Sequence, residues 1–78
     1  LVATVSFDTT TNGGSGTIAD VETTVGAIIN VSTGTGITAP EGKVFAGWDT
    51  SSSATTPDIV GTYKVTGTIT LYAIYVDE

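Results

Sequence analysis

The chain has neither histidine nor cysteine. A serine or threonine nucleophile would therefore find no imidazole to take its proton, and no thiolate is present to replace it. Zinc loses its two preferred ligand types on the same count. The remaining acid–base groups are carboxylates. Asp49 and Asp58 flank a loop near the single tryptophan, Trp48, as paired acids of a glycosidase would. A domain this short rarely carries a deep cleft, and solvated acids are the plainer reading. Asp8 with Asn12, or Asp20 with Glu22, offers oxygen ligands to Ca²⁺, but neither pair has the alternating acids and terminal Glu of a calcium loop. An isopeptide crosslink would need Lys43 or Lys64 buried against Asn12 or Asn30. Lys64 falls on a polar strand face and Asn12 in a turn, which argues against it. Trp48, Tyr63, Tyr72 and Tyr75 would make a sugar-binding platform if exposed together. The competing assignment puts Trp48 and Tyr75 in the core and leaves Tyr72 as a partly exposed cross-strand residue. The core assignment is preferred, so no catalytic, cofactor-binding or metal residue is assigned and an enzyme is not expected.

The totals narrow the field further. Seventy-eight residues make one small domain, near the limit at which a single core suffices, and without cysteine no disulfide assists it. Apolar residues at 40% and charged residues at 13% favour a packed fold over disorder. A net charge of −6, with no basic run, repels phosphates and anionic lipid, so nucleic-acid binding is not expected. No apolar run reaches the length of a membrane span or a signal h-region, and direct membrane insertion is not expected. The sequence opens inside one strand pattern and stops just after another, which suggests a piece of a longer protein.

These side chains must be positioned by strands. Residues 40–48, Pro-Glu-Gly-Lys-Val-Phe-Ala-Gly-Trp, hold the two rings with most surface to bury, Phe45 and Trp48. They are three apart, on opposite faces of a regular strand, and a bulge at Gly47 would return both to one face. Ala3, Val5 and Phe7 alternate with Thr4, Ser6 and Asp8, a half-buried strand. Residues 9–16 form a turn in which Asn12-Gly13 is the strongest hairpin signal, with a wide connection expected at its tip. Residues 17–31 read two ways. Val21, Val25, Ile28 and Ile29 fit one helix face, yet Thr23, Thr24 and Gly26 are poor helix-interior residues; strands over 18–25 and 28–31 about a turn at Gly26-Ala27 are preferred. Residues 32–36 read as loop, with Ile37 tucking back onto the core, and residues 50–57 as a Ser/Thr loop anchored by Ala54 alone. Tyr63 and Val65 mark a half-exposed strand, Thr66-Gly67 a tight turn. The longest strand follows over 68–76, with Ile69, Leu71, Ala73 and Tyr75 on one face and a second face that is scarcely more polar. Such a strand belongs at the centre of a sheet.

Taken in order, Val5-Ser6-Phe7-Asp8, Asn12-Gly13-Gly14, Ile29-Asn30-Val31, residues 40–48 and Thr70-Leu71-Tyr72-Ala73-Ile74-Tyr75 resemble the Listeria–Bacteroides repeat, the B-repeat of internalin-type bacterial surface proteins. The resemblance covers nearly the whole chain. It departs at Ser32, where the family commonly has Pro, in the extra Gly/Thr residues before Pro40, and at Tyr75, where Trp is common. The resemblance implies a mostly β, β-grasp-like mixed sheet of about four to five strands with little or no helix. It implies one repeat over residues 1–78 of a multi-repeat, non-catalytic, extracellular stalk on a bacterial surface, or a secreted one. The acidic, Thr/Ser/Gly-rich, cysteine-free composition suits export. On this reading Phe7, Phe45, Gly47, Trp48, Leu71, Ala73 and Tyr75 form the structural core and Tyr72 is the candidate contact to a partner. Partners would be neighbouring repeats or domains of the same chain, or a host or cell-surface protein or glycan; no cofactor is expected. A small carbohydrate-binding module using Trp48 and the tyrosines is the alternative.

Overall fold

The computed structural model describes residues 1–34 and 36–78, and its longest strand is the last. The strands are β1 (Val2–Asp8), β2 (Ser15–Gly16), β3 (Val21–Thr24), β4 (Ile28–Asn30), β5 (Ile37–Thr38), β6 (Lys43–Asp49), β7 (Thr62–Lys64) and β8 (Ile69–Asp77). No helix occurs among the described residues. The helical pattern of residues 17–31 yields to its β-branched and glycine residues, with Gly26 at positive φ in the turn between β3 and β4. The loop expected over 32–36 is irregular where described; Thr35 lies outside the described residues.

Four strands form a mixed sheet in the order β3-β1-β8-β6. β8 lies inside it, parallel to β1 and antiparallel to β6, while β3 runs antiparallel to β1. This mostly β arrangement is compatible with the β-grasp likeness. The parallel register sets Val5 level with Ile69. Leu1 therefore lies four residues before that level and Glu78 nine beyond it, a separation of about 43 Å at roughly 3.3 Å per residue. The molecule's long axis is 40 Å against 20 and 18 Å for the others, so the chain enters at one end and leaves at the other.

One face of the sheet carries Ala3, Val5, Phe7, Leu71, Ala73, Tyr75 and Trp48, and two short ladders lie over it. β4 pairs with β7, and β2 with β5. Two backbone hydrogen bonds continue the β4–β7 ladder past its end, Gly26 N–H donating to Val65 O at 2.7 Å and Val65 N–H to Ala27 O at 2.8 Å. Val31 and Val65 are thereby buried, with Ile29, Ile37 and Tyr63 packed against the same core.

One expectation about local pairing is corrected. Asn12-Gly13 does turn the chain, with Gly13 N–H donating to Thr10 O, but Ser15–Gly16 then pairs with β5, and β1 takes β3 as its antiparallel neighbour. The strand before Thr66-Gly67 pairs with β4. The loop before β7 also has more anchors than Ala54: Ile59 is buried and exchanges two backbone hydrogen bonds with Trp48, and Pro57 packs over Gly47.

Candidate functional site

The bulge in β6 decides how the aromatic side chains meet. Phe45 faces Tyr75 and Gly47 faces Ile74, so Ala46 is the residue without a partner on β8. The half-step turns Trp48 onto the face of Phe45. The two rings meet edge to face at 5.5 Å between centroids; Phe7 meets Trp48 at 4.9 Å and Phe45 meets Tyr75 at 6.1 Å. Trp48 has no exposed surface, and its indole N–H donates to Ser32 O at 2.9 Å, which answers the one polar atom of a buried ring. Leu71 and Ala73 are buried beneath this group, and Phe7 and Phe45 are half-buried at its margin.

Gly47 is buried with a φ of 159°, close to the extended region, so conformation alone does not demand glycine. Space does. A Cβ there would stand 2.6 Å from Pro57 Cβ and 2.8 Å from Ile59 O. The missing side chain lets the loop lie on the outer face of the sheet, across from buried Ile74.

At the far end of β8 the Tyr75 hydroxyl donates to Thr9 O at 2.7 Å. A Cβ on Gly14 would fall within 2.1 Å of that hydroxyl, so the glycine turn closes directly over it. Burial, with the nearby Asp8 charge second, pushes the Tyr75 phenol above its usual value. Asn12 adds a side-chain donor to Ala73 O at 3.0 Å, and the buried Thr9 hydroxyl donates to Gly16 O. Asp8 ties the same turn together: its carboxylate accepts the Thr11 hydroxyl at 2.7 Å and the backbone N–H groups of Thr11 and Thr10 at 2.9 and 3.0 Å. The Thr11 hydroxyl bond, ahead of the backbone bonds, lowers the Asp8 pKa below the usual carboxylate range.

Several of the residues singled out in the sequence are engaged in turns, surface pairs or the core. Asp8 is occupied by its turn, and among the described residues no group of three or more acids gathers as metal ligands. Lys43 pairs with Asp77 at 2.9 Å on the surface and Lys64 is exposed, so neither lysine is buried beside an asparagine. Of the four aromatics of the sugar platform, Trp48 and Tyr75 are buried and Tyr63 packs against the core.

Tyr72 is different. It lies on the outer face, half-exposed, and the register sets Asp8 beside it on β1 and Asp49 beside it on β6. This row of acid, phenol and acid was hidden in the sequence, because only strand pairing brings together residues 8, 49 and 72. The end of the molecule at which β1 begins exposes Leu1, Val2 and Val25, adjacent through β1–β3 pairing and the Val25 N–H to Leu1 O bond.

Residues 4–74 match the model of the Listeria–Bacteroides repeat domain. The chain belongs to that family. This repeat-domain family is a structural type associated with bacterial surface proteins. No curated protein and no solved structure matches the chain. Among the described residues, no helix is long and apolar enough to cross a membrane. In this Listeria–Bacteroides repeat the aromatic cluster serves the core, and Tyr72 with its two aspartates is the candidate surface for contact.

Proposed function

We propose that this Listeria–Bacteroides repeat is a non-catalytic spacer on the outside of a bacterium, projecting other parts of its chain and making weak contacts of its own. The observation that carries this reading is the placement of first and last strands: parallel, adjacent and staggered, so that the chain crosses the full 40 Å axis from entry to exit. Copies joined in series through such ends extend in a line. Exposed Leu1, Val2 and Val25 stand where a preceding copy or domain would adjoin. The Asp8–Tyr72–Asp49 row favours a cationic patch on a protein partner, and the outer edge of β3 is open to an added strand. Weak contacts of either kind gain through repetition.

Small-angle scattering on one, two and four joined copies tests the spacer. The maximum dimension should grow by about the 40 Å axis with each copy. Copies that collapse into a globule, with a dimension rising only as the cube root of mass, would remove the reading.

A further inference from the structure

We infer that this repeat is a load-bearing unit, with β1 and β8 forming a shear clamp against tension along the chain. The inference rests on the spacer reading, since tension reaches the repeat through the chain on either side of it. β1 is entered at one end of the long axis and β8 is left at the other, and the two strands are parallel neighbours. Tension then slides β1 along β8. Ladder hydrogen bonds lie across the strands, so sliding stretches all of them together, and none yields before the rest. Tension that separates two strand ends lying side by side breaks the same kind of bond one rung at a time.

Three side-chain bonds lengthen the clamp beyond its ladder. The ladder proper joins Val5 through Asp8 to Ile69 through Tyr72. Before it, Thr4 N–H donates to the Thr68 hydroxyl at 3.2 Å. Beyond it, Asn12 donates to Ala73 O at 3.0 Å and Tyr75 to Thr9 O at 2.7 Å. Each of these bonds links the first strand or its following turn to the last strand, and together they extend the joint from Thr68 to Tyr75. Neither strand can slide alone. β3 holds the free side of β1, and β6 holds the free side of β8. The Tyr75 bond is buried and the Asn12 bond part-buried, which shields them from competing water and suits them to carry load.

Single-molecule pulling on the whole chain tests the clamp, and the absence of native cysteine lets thiol handles be placed at will. In one geometry Leu1→Cys and Glu78→Cys draw the ends apart along the axis. In the other, Glu41→Cys replaces Leu1→Cys. β6 begins beside the end of β8, with Lys43 facing Asp77, so this pair peels the β6–β8 ladder from its end. The axial geometry should need severalfold more force and release about 240 Å of chain in one step. Tyr75→Phe should lower the axial force and leave the peeling force unchanged. Thr68→Ala, at the exposed flank, should act in the same selective way and serves if Tyr75→Phe does not fold. Equal forces in the two geometries, or variants that weaken both alike, would overturn the clamp. Scattering reads the spacer separately: extended copies with equal forces sink the clamp alone, and collapsed copies with a high axial force sink the spacer alone.

Discussion

Trp48 concentrates more of this repeat's burial than any other side chain. Its ring is enclosed by the edges of Phe7 and Phe45, and its N–H is answered by Ser32 O. Replacing it with alanine leaves a cavity that the strands cannot close, because the bulge and the Ile59 pairing fix the backbone on both sides. Trp48→Ala should cost about 3–5 kcal/mol, a large part of what a domain of this size has. Urea unfolding followed by circular dichroism reads this directly, and a midpoint near the parent's would show that the ring is dispensable. The importance of Phe45 and Trp48 was legible in the sequence because large side chains are scarce in it. The full burial of Val31, Ile59 and Val65 is less legible: Val31 and Val65 end short strands whose patterns read as half-exposed, and Ile59 follows a polar loop with no alternation to mark its face. Gly14 was still less legible. Its need for glycine comes from a tyrosine hydroxyl contributed by the last strand.

At the scale of elements, the β6 bulge converts a three-residue spacing into a same-face pair. Ala46 is the unpaired residue, and the ladder is in register on both sides of it. Deleting Ala46 should therefore leave Phe45 opposite Tyr75 and Trp48 opposite Ala73 in a regular strand, since the two rings would then be two residues apart. The deletion should cost less than Trp48→Ala and retain buried tryptophan emission; a red-shifted, readily quenched Trp48 would show that the bulge does more than set register. The bulge itself was readable from Phe45, Gly47 and Trp48, and so was the central place of β8, apolar on both faces. Strand partners were not. Asn12-Gly13 and Thr66-Gly67 carry local turn chemistry, but which strand pairs with which depends on surface buried between distant segments, and spacing along the chain does not encode that.

For the whole molecule, charge sets the pH limits. Lys43 holds Asp77 below the usual carboxylate range by its hydrogen bond and then its charge, as Thr11 does for Asp8. A carboxylate with a lowered folded pKa contributes stability in full above its unfolded value of about 3.9, and loses it as pH falls through the folded value. Tyr75 has the opposite sign: with its folded pKa raised, its contribution is whole below about 10 and is lost as pH rises through the folded value. The melting temperature should thus be level between these limits and fall below about pH 4 and above about pH 10. Asp8→Asn should flatten the acid fall, since the amide cannot be protonated there, and Tyr75→Phe the alkaline fall. Melting curves across pH check both. An unchanged acid limb in Asp8→Asn would assign that limb to other acids.

The strand that joins the sheet together is also the last of the repeat to be synthesised. Until β8 is available, β1 and β6 have nothing between them, and β1 has only β3 to pair with, a single hairpin too small to be stable by itself. A chain emerging from a ribosome, or threading a narrow pore N-terminus first, therefore stays unfolded through nearly its entire length. It then folds at once when residues 69–77 come free. In a series of such repeats, no copy blocks the passage of the chain while it is still in transit, and each locks only after it has cleared the exit.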